Sequence, residues 1–187
     1  MRALTIMQPW AHAIAWCGKG IENRNTAHFL EGYRGELMIH AGLSNNWLSD
    51  AACFEVHMAA KYDAEAKSDF PSNIHLALPR LVFGAVVALA TLVDVVHGSE
   101  AWKLHPFQRV WARQGNGALL VLNNVRPLKS PVRASGAQGL WTPSDELIAA
   151  VRDQLEGKAG QSGEGPGEKT RAPIAVGGLF GSHGRML

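Results

Sequence analysis

LTIMQPWAHAIAWCGKGIENR, residues 4–24, predicts a strand, a short helix, a sharp turn and a second strand. The apolar run 4–7 forms the first strand, and Pro9 suits the first position of a helix because its missing N–H has no helical partner to lose. The glycines of segment 18–20 end that helix, since glycine tolerates the positive φ of a helix terminus. One helical face is apolar through Trp10, Ile14 and Cys17.

Polar side chains bracket this short helix from both ends. A two-ended polar bracket around a short helix can line the mouth of a pocket. Its members are Gln8, Lys19, Glu22, Asn23 and Arg24.

Three motifs in order resemble the ASCH family, a branch of the PUA-like superfamily of small β-barrels associated with RNA. They are QPWA…GKGIENR at 8–24, GYRGELMIHAG at 32–42 and GAQGLW at 136–141. The resemblance spans residues 4 to about 145. It implies an α+β chain with a PUA-like mixed β-barrel and peripheral helices, and it is less specific for activity than for fold.

Composition favours one domain with a proper core, since 47% of the 187 residues are hydrophobic. No apolar run approaches a membrane span and no signal peptide is apparent, so we expect a cytoplasmic protein without a membrane partner. Cys17 and Cys53 form neither a disulfide framework nor a CxxC pair, and we expect no metal and no cofactor.

The domain boundary is predicted at residue 156, with an ASCH/PUA-like domain at 1–156 and a Gly-rich tail at 157–187. The segment GKAGQSGEGPGEKT, 157–170, cannot bury apolar area and is predicted to be disordered. Apolar residues further along the tail make it a candidate contact for a protein partner.

The charge is distributed unevenly, although the formal net charge is only +2. Segment 97–133 carries six Lys and Arg residues against Glu100, a net of +5. This excludes a globally basic nucleic-acid binder but allows a local basic face, to which Arg109 and Arg113 belong. The alternative is a solvated basic loop.

Four further elements follow from periodicity. Segment 44–67 is predicted to be a helix whose stripe of Trp47, Phe54 and Tyr62 packs on the barrel. Segments 84–96 and 117–125 are predicted strands, with Arg126-Pro127 leaving the sheet because proline cannot donate to the ladder. Thr142 is expected to cap a last helix that runs to about residue 156.

The candidate ligand contacts come from the three motifs. Trp10 and Trp141 can stack on a base, Gln8 and Gln138 can bond to a base edge, and Glu22 can accept from an exocyclic amine. The candidates for phosphate or carbonyl contact are Lys19, Arg24 and Arg34. The alternatives are core packing for Trp10 and structural ion pairs for Glu22, Arg24 and Arg34. For His40, within an apolar strand, a core role is favoured.

Three hypotheses of function follow. The first is a module that binds RNA or another single-stranded nucleic acid, or a modified base or nucleoside, because exposed bases can stack and display their edges. The second is a hydrolase. Some ASCH-like proteins are amidohydrolases on acylated nucleosides that use a Lys, a Thr and a Glu, and other members have been linked to RNA cleavage. Here Lys19 matches the lysine, but Glu22 stands where that branch has its threonine nucleophile. The third is an adaptor acting through the tail.

Overall fold

The computed structural model describes residues 1–30, 32–63, 66 and 68–156. The described residues form six strands and five α-helices, with short 3-10 helices among them. The strands are β1 (Arg2–Ile6), β2 (Ile21–Arg24), β3 (Gly35–Ala41), β4 (Ala85–His97), β5 (Ala118–Arg133) and β6 (Leu140–Trp141). The helices are α1 (Trp10–Trp16), α2 (Asp50–Tyr62), α3 (Ile74–Ala77), α4 (Pro106–Arg109) and α5 (Asp145–Glu156).

All six strands form one mixed sheet in the order β2-β5-β4-β3-β1-β6. The pair β1 and β3 is parallel, with Thr5 opposite His40, and the other pairs are antiparallel. The sheet curls into a half-barrel, and the helices lie around it. This confirms the predicted α+β class with a mixed sheet and peripheral helices, and the predicted mixed β-barrel is seen as a half-barrel in the described residues.

The strand–helix–turn–strand prediction for residues 4–24 is confirmed. The apolar face of helix α1 packs into the core, where Ile14 and Cys17 are buried. Trp10, on the same face, is only partly covered. Gly18 follows the helix with φ +78°, a conformation that costs glycine little. The chain then turns back into β2, which pairs with β5.

The aromatic stripe predicted to pack inward from segment 44–67 lies outward instead. Helix α2 begins only after Ser49, whose hydroxyl accepts from the Ala52 N–H. Small side chains cover the core side of α2, among them Cys53 and Val56. Trp47, Phe54 and Tyr62 remain 63%, 54% and 64% exposed. Small side chains on the buried face let α2 lie close to the core, where large aromatic rings would hold it away. Hydrophobic periodicity alone does not indicate which of the two faces is buried.

Strand β5 continues through Pro127, so the prediction that the chain leaves the sheet there was wrong. Pro127 pairs with Ala88 beside one of the register shifts between β4 and β5. Proline has no N–H to donate to the ladder of hydrogen bonds between strands. It is tolerated within a sheet at a bulge, where that ladder is already interrupted. The predicted strands 84–96 and 117–125 are confirmed as parts of β4 and β5.

The last helix, α5, ends at Glu156 as predicted, but Ser144 rather than Thr142 contacts its first turn, through the Leu147 N–H. The tail 157–187, with its predicted disorder and partner contact, lies outside the described residues. Among the described helices, none combines the length and the apolarity needed to cross a bilayer.

Candidate nucleic-acid interface

A cavity of about 240 Å³ opens where β1 ends and β2 begins, and we call it the base cavity. Helix α1 contributes its first residue, and the loops before α2 and after α4 close the sides. The lining residues are Ile6, Met7, Trp10, Glu22, Asn23, Arg24, Asn25, Trp47 and Arg113. Five residues predicted as ligand contacts are therefore brought together here: Trp10, Glu22, Asn23, Arg24 and Arg113.

Glu22 stands between two cations at the inner wall of the cavity. Its Oε2 lies 3.2 Å from Lys19 Nζ, and its Oε1 lies 3.2 Å from Arg24 Nε. The Lys19 and Glu22 side chains are 1% and 9% exposed. The arrangement places a carboxylate with two cationic partners at the wall of a cavity that is also lined by the indoles of Trp10 and Trp47.

The Lys19 ammonium makes hydrogen bonds within the protein and does not face the cavity. Its ammonium donates to the carbonyl of Ile21 and to Glu22, and it is absent from the cavity lining. Burial lowers the pKa of the Lys19 ammonium below its usual value, and the nearby Glu22 carboxylate opposes that change. Lys19 is therefore a positioning residue for Glu22.

Arg24 is fixed by β1 as well as by Glu22. One terminal nitrogen, Nη2, donates to the Thr5 carbonyl over 2.8 Å. The guanidinium keeps about a quarter of its side-chain area exposed (27%). Within the described part of the chain, the other terminal nitrogen has no hydrogen-bond partner. Arg24 can therefore hold Glu22 and still donate outward.

The side-chain amides of Asn23 and Gln8 form hydrogen bonds with backbone groups. The Asn23 amide donates to the Trp111 carbonyl over 2.9 Å and accepts from the Arg113 N–H over 2.8 Å. Gln8 is fully buried, donates to the Val82 carbonyl and accepts from the His12 N–H. Asn23 thus ties the loop after α4 to β2, and Gln8 anchors the start of α1.

The outer wall of the base cavity is aromatic and basic. The Arg113 guanidinium lies 5.7 Å from the centroid of the Trp10 ring, within the range of a cation–π contact. It also pairs with Glu55 of α2, Nη2 to Oε2 3.0 Å, with both side chains well exposed. Trp47 stands on the opposite loop, 63% exposed. Two indoles and a guanidinium thus surround an opening above Glu22.

A second cavity of about 370 Å³ adjoins the first, and we call it the GAQG cavity. It is formed by the ends of β1 and β3 and by the loop before β6. Its lining residues are Thr5, Met7, Arg24, His40, Gly42, Leu43, Gly136, Ala137, Gln138 and Gly139. Met7 and Arg24 belong to both cavities. The predicted contact Gln138 therefore lies next to the others, on the far side of Arg24.

His40 forms the buried floor of the GAQG cavity, with 1% of its surface exposed. Its Nε2 lies 3.0 Å from the Ala134 carbonyl, so the ring donates from that nitrogen. Its Nδ1 is buried and has no partner among the described residues. Burial lowers the pKa of the His40 imidazole, which favours the neutral ring. His40 is thus a core residue, as predicted, that also reaches a cavity.

Besides Gln8 and Lys19, three predicted contacts lie outside both linings. Trp141 donates from Nε1 to the Thr5 hydroxyl over 3.2 Å and packs edge-on against His40, with centroids 5.9 Å apart. Arg34 pairs with Asp94 at the beginning of β3, the end remote from both cavities. Arg109 is exposed on α4. The structure gives Trp141 a packing role and leaves Arg34 and Arg109 on the surface.

Sequence reasoning missed Trp47, Asn25, Met7 and Leu43 as cavity residues. Trp47 was assigned to the buried stripe, and its place in a loop before Ser49 depends on where α2 begins. Asn25 directly follows the GKGIENR motif, and this position next to the motif is what could have identified it as a cavity residue. Among the described residues, no group of three or more His, Cys, Asp or Glu side chains is placed to hold a metal ion.

Comparison with known proteins finds no matching family model and no matching curated protein. Solved structures do match. A tyrosine-to-phenylalanine variant of the ASCH protein from Zymomonas mobilis has 11% identity and a TM-score of 0.44, covering 81% of this chain and 96% of its own. The unaltered ASCH protein from Zymomonas mobilis has 12% identity and a TM-score of 0.42, with 81% and 93% covered.

A serine-to-alanine variant of the same Zymomonas mobilis protein also has 12% identity and a TM-score of 0.42, with 81% and 94% of the two chains covered. All three structures carry the ASCH name, the family that the sequence motifs resemble. At this identity and TM-score, the similarity carries no argument about ligand or activity.

Proposed function

We propose that this protein binds single-stranded nucleic acid, RNA in preference to DNA, and takes one unpaired base into the base cavity. The observation that supports this most is the combination of Trp10 and Trp47 around an opening whose inner wall holds the Glu22 carboxylate. Aromatic faces stack on any base, and stacking contributes roughly 1–3 kcal/mol per base. The preference for RNA rests on the family resemblance.

The cavity size suits one base rather than a larger ligand. At about 240 Å³ it lies below the roughly 300–1,000 Å³ typical of drug-sized ligand sites. A base inside a duplex is stacked and paired, so it cannot enter without being extruded. Single strands, loops and ends are therefore the expected targets.

Glu22 supplies the element of base selectivity in this proposal. The Glu22 carboxylate, which pairs with Lys19 and Arg24, accepts hydrogen bonds and donates none. It favours bases that carry an exocyclic amine, which are cytosine, adenine and guanine, over uracil. Arg113, exposed at the rim, is placed to meet a backbone phosphate.

The hydrolase hypothesis receives less support from the same residues. Lys19 does not line the cavity, and Glu22 replaces the hydroxyl nucleophile of the amidohydrolase branch. Glu22 remains the one carboxylate of the base cavity, and a nuclease reaction would have to use it as acid or base.

The test is fluorescence-anisotropy binding of a labelled 12-nucleotide RNA, its DNA counterpart and the RNA duplex across a salt series. We expect the single-stranded RNA to bind most tightly, with affinity falling as salt rises. Trp47→Ala should weaken binding about five-fold or more, corresponding to at least about 1 kcal/mol of stacking. Trp102→Ala is the matched control, an indole 68% exposed outside both cavities.

Equal losses for Trp47→Ala and Trp102→Ala, or no binding by the wild-type protein, would contradict the proposal. Base selectivity is checked with oligocytidylate and oligouridylate, where Glu22→Gln should reduce the preference for cytidine. The same samples are run on a denaturing gel. Shortened RNA with the wild-type protein but not with Glu22→Gln would favour the nuclease hypothesis.

A further inference from the structure

The two cavities lie side by side at the carboxyl ends of the parallel strands β1 and β3, and we call the pair of cavities the cleft. Met7, the first residue after β1, lines both of them, and so does Arg24 of β2. The base cavity lies on one side of Arg24 and the GAQG cavity on the other. A single base bound in the base cavity would therefore leave the adjoining GAQG cavity empty.

The GAQG cavity has features of a second base site. Gln138 is exposed on its wall, and its amide both donates and accepts, as the edge of a base requires. Leu43 is 74% exposed on the same cavity and offers an apolar surface for a base face. His40 at the floor carries a buried Nδ1 without a partner in the described residues. With Nε2 as donor, that Nδ1 is an acceptor.

Glycines at the rim of the second cavity allow close packing between its walls. A β-carbon on Gly136 would lie 2.4 Å from His40 Cε1 and 2.6 Å from Thr5 Oγ1. A β-carbon on Gly42 would lie 2.8 Å from Met7 Sδ. Glycine at both positions lets the loop before β6 and the end of β3 approach β1 closely.

Arg24 stands where the two base sites meet. Nε faces Glu22 in the base cavity, Nη2 is held by the Thr5 carbonyl, and the guanidinium is 27% exposed. Lys19 and Arg24 together outnumber the one carboxylate between them, so this point of the cleft favours an anion. A phosphodiester joining two bases is the anion that a nucleic-acid strand would place there.

We propose that the cleft binds two consecutive nucleotides, with the second base in the GAQG cavity and the linking phosphate on Arg24. This rests on the proposed function and extends it, since it defines the minimal ligand as a dinucleotide within a strand. A free nucleoside or a nucleoside monophosphate occupies only half of the cleft.

The experiment measures competition of unlabelled short ligands against the labelled 12-nucleotide RNA. The ligands are cytidine 5′-monophosphate, the dinucleotide CpC, and CpC with an uncharged methylphosphonate linkage. We expect CpC to bind at least ten-fold more tightly than the monophosphate, and the methylphosphonate to lose most of that gain.

Amino-acid substitutions test which residues are responsible for the tighter binding of CpC relative to the monophosphate. Gln138→Ala should reduce the advantage of CpC over the monophosphate and leave binding of the monophosphate unchanged. Gln154→Ala on α5 is the matched control and should change neither. Arg24→Gln should make the protein indifferent to the charge of the linkage, so that CpC and its methylphosphonate bind equally.

The outcomes separate the two proposals. If the 12-nucleotide RNA binds and Trp47→Ala weakens it, but CpC binds no better than the monophosphate, the second base site is overturned and the proposed function stands. If CpC binds better but Gln138→Ala and the neutral linkage have no effect, the assignment to the GAQG cavity and Arg24 is overturned. If the RNA does not bind at all, both proposals fail.

Discussion

Lys19 Nζ lies 3.2 Å from Glu22 Oε2 across a single turn of chain, and both side chains are buried. A buried charge without its partner is costly, typically about 3–5 kcal/mol when one member of such a pair is removed. The pair therefore links the stability of the GKGIENR turn to the chemistry of the base cavity. A change to the carboxylate at the cavity wall is therefore expected to affect the fold as well as the cavity.

The first prediction concerns this pair. Lys19→Ala should lower the free energy of unfolding by roughly 3–5 kcal/mol, because it leaves Glu22 with one cation and opens a void. Lys19→Met fills the volume and should cost less. Urea denaturation of both variants checks the order. Equal and negligible losses would mean that the pair contributes little to the fold.

The second prediction concerns the exposed pair between Arg113 and Glu55 at the rim of the base cavity. Glu55→Gln should leave the free energy of unfolding within about 1 kcal/mol of wild type, because exposed pairs stabilise little. It should tighten RNA binding at low salt, because it frees Arg113 for phosphate. Urea denaturation measures the unfolding free energy, and anisotropy titrations at low and high salt measure the change in RNA affinity.

Glu100→Gln is the control for the second prediction. Glu100 pairs with Lys103 outside both cavities, and its side chain is 44% exposed against 45% for Glu55. Both variants remove one negative charge from the protein. An equal gain in affinity from the two would show that net charge, rather than Arg113, is responsible.

The third prediction concerns pH. Burial and the nearby Arg80 lower the pKa of His12 from 6.5 to about 4, and its ring packs against Trp16 and Phe70. Between those pH values the unfolded chain binds a proton that the folded protein excludes. Stability should therefore fall as the pH drops from 6.5 towards 4, by at most about 3 kcal/mol from this residue.

Urea denaturation at several pH values between 7 and 4.5 checks the third prediction. His12→Gln should flatten the dependence of the unfolding free energy on pH, whatever its effect at pH 7. The exposed His105→Gln should leave the slope as in wild type. A slope unchanged by His12→Gln would contradict the assignment.

The fourth prediction concerns Gly136. Gly136→Ala should destabilise the protein by about 1–3 kcal/mol, as overpacking does, because the added carbon meets His40 and Thr5. Ala137→Ser, one position along on the exposed loop, is the control for an added atom. Thermal denaturation gives the comparison. A Gly136→Ala protein as stable as wild type would show that the loop yields freely.

The sequence by itself determined the order of the main elements and the residues of the turn. The apolar run at 4–7, Pro9 and the glycines at 18–20 are local signals, and local signals act within a few residues of chain. Strand β4 was predictable for the same reason, since an uninterrupted valine-rich run is typical of a buried strand. The gathering of Lys19, Glu22 and Arg24 followed from their spacing along one turn.

Only the tertiary structure decided which polar side chains face a cavity. Gln8 and Asn23 were candidates by residue type. Gln8 lies outside both linings and donates to the Val82 carbonyl, whereas Asn23 lines the base cavity but donates its amide hydrogen to the Trp111 carbonyl. Those carbonyls lie 74 and 88 residues away along the chain. The course of β5 past Pro127 likewise depended on a bulge against β4.

The outward aromatic stripe of segment 44–67 and the place of Trp47 have the same cause. Whether an aromatic ring is buried depends on how closely its helix must approach the sheet, and that distance is set by partners far away in sequence. Hydrophobic periodicity indicates that a face will be apolar, but it does not indicate how much volume the core leaves for it. The junction of two cavities at Arg24 arises because the parallel pairing of β1 with β3, and the packing of the GAQG loop beside it, join distant segments.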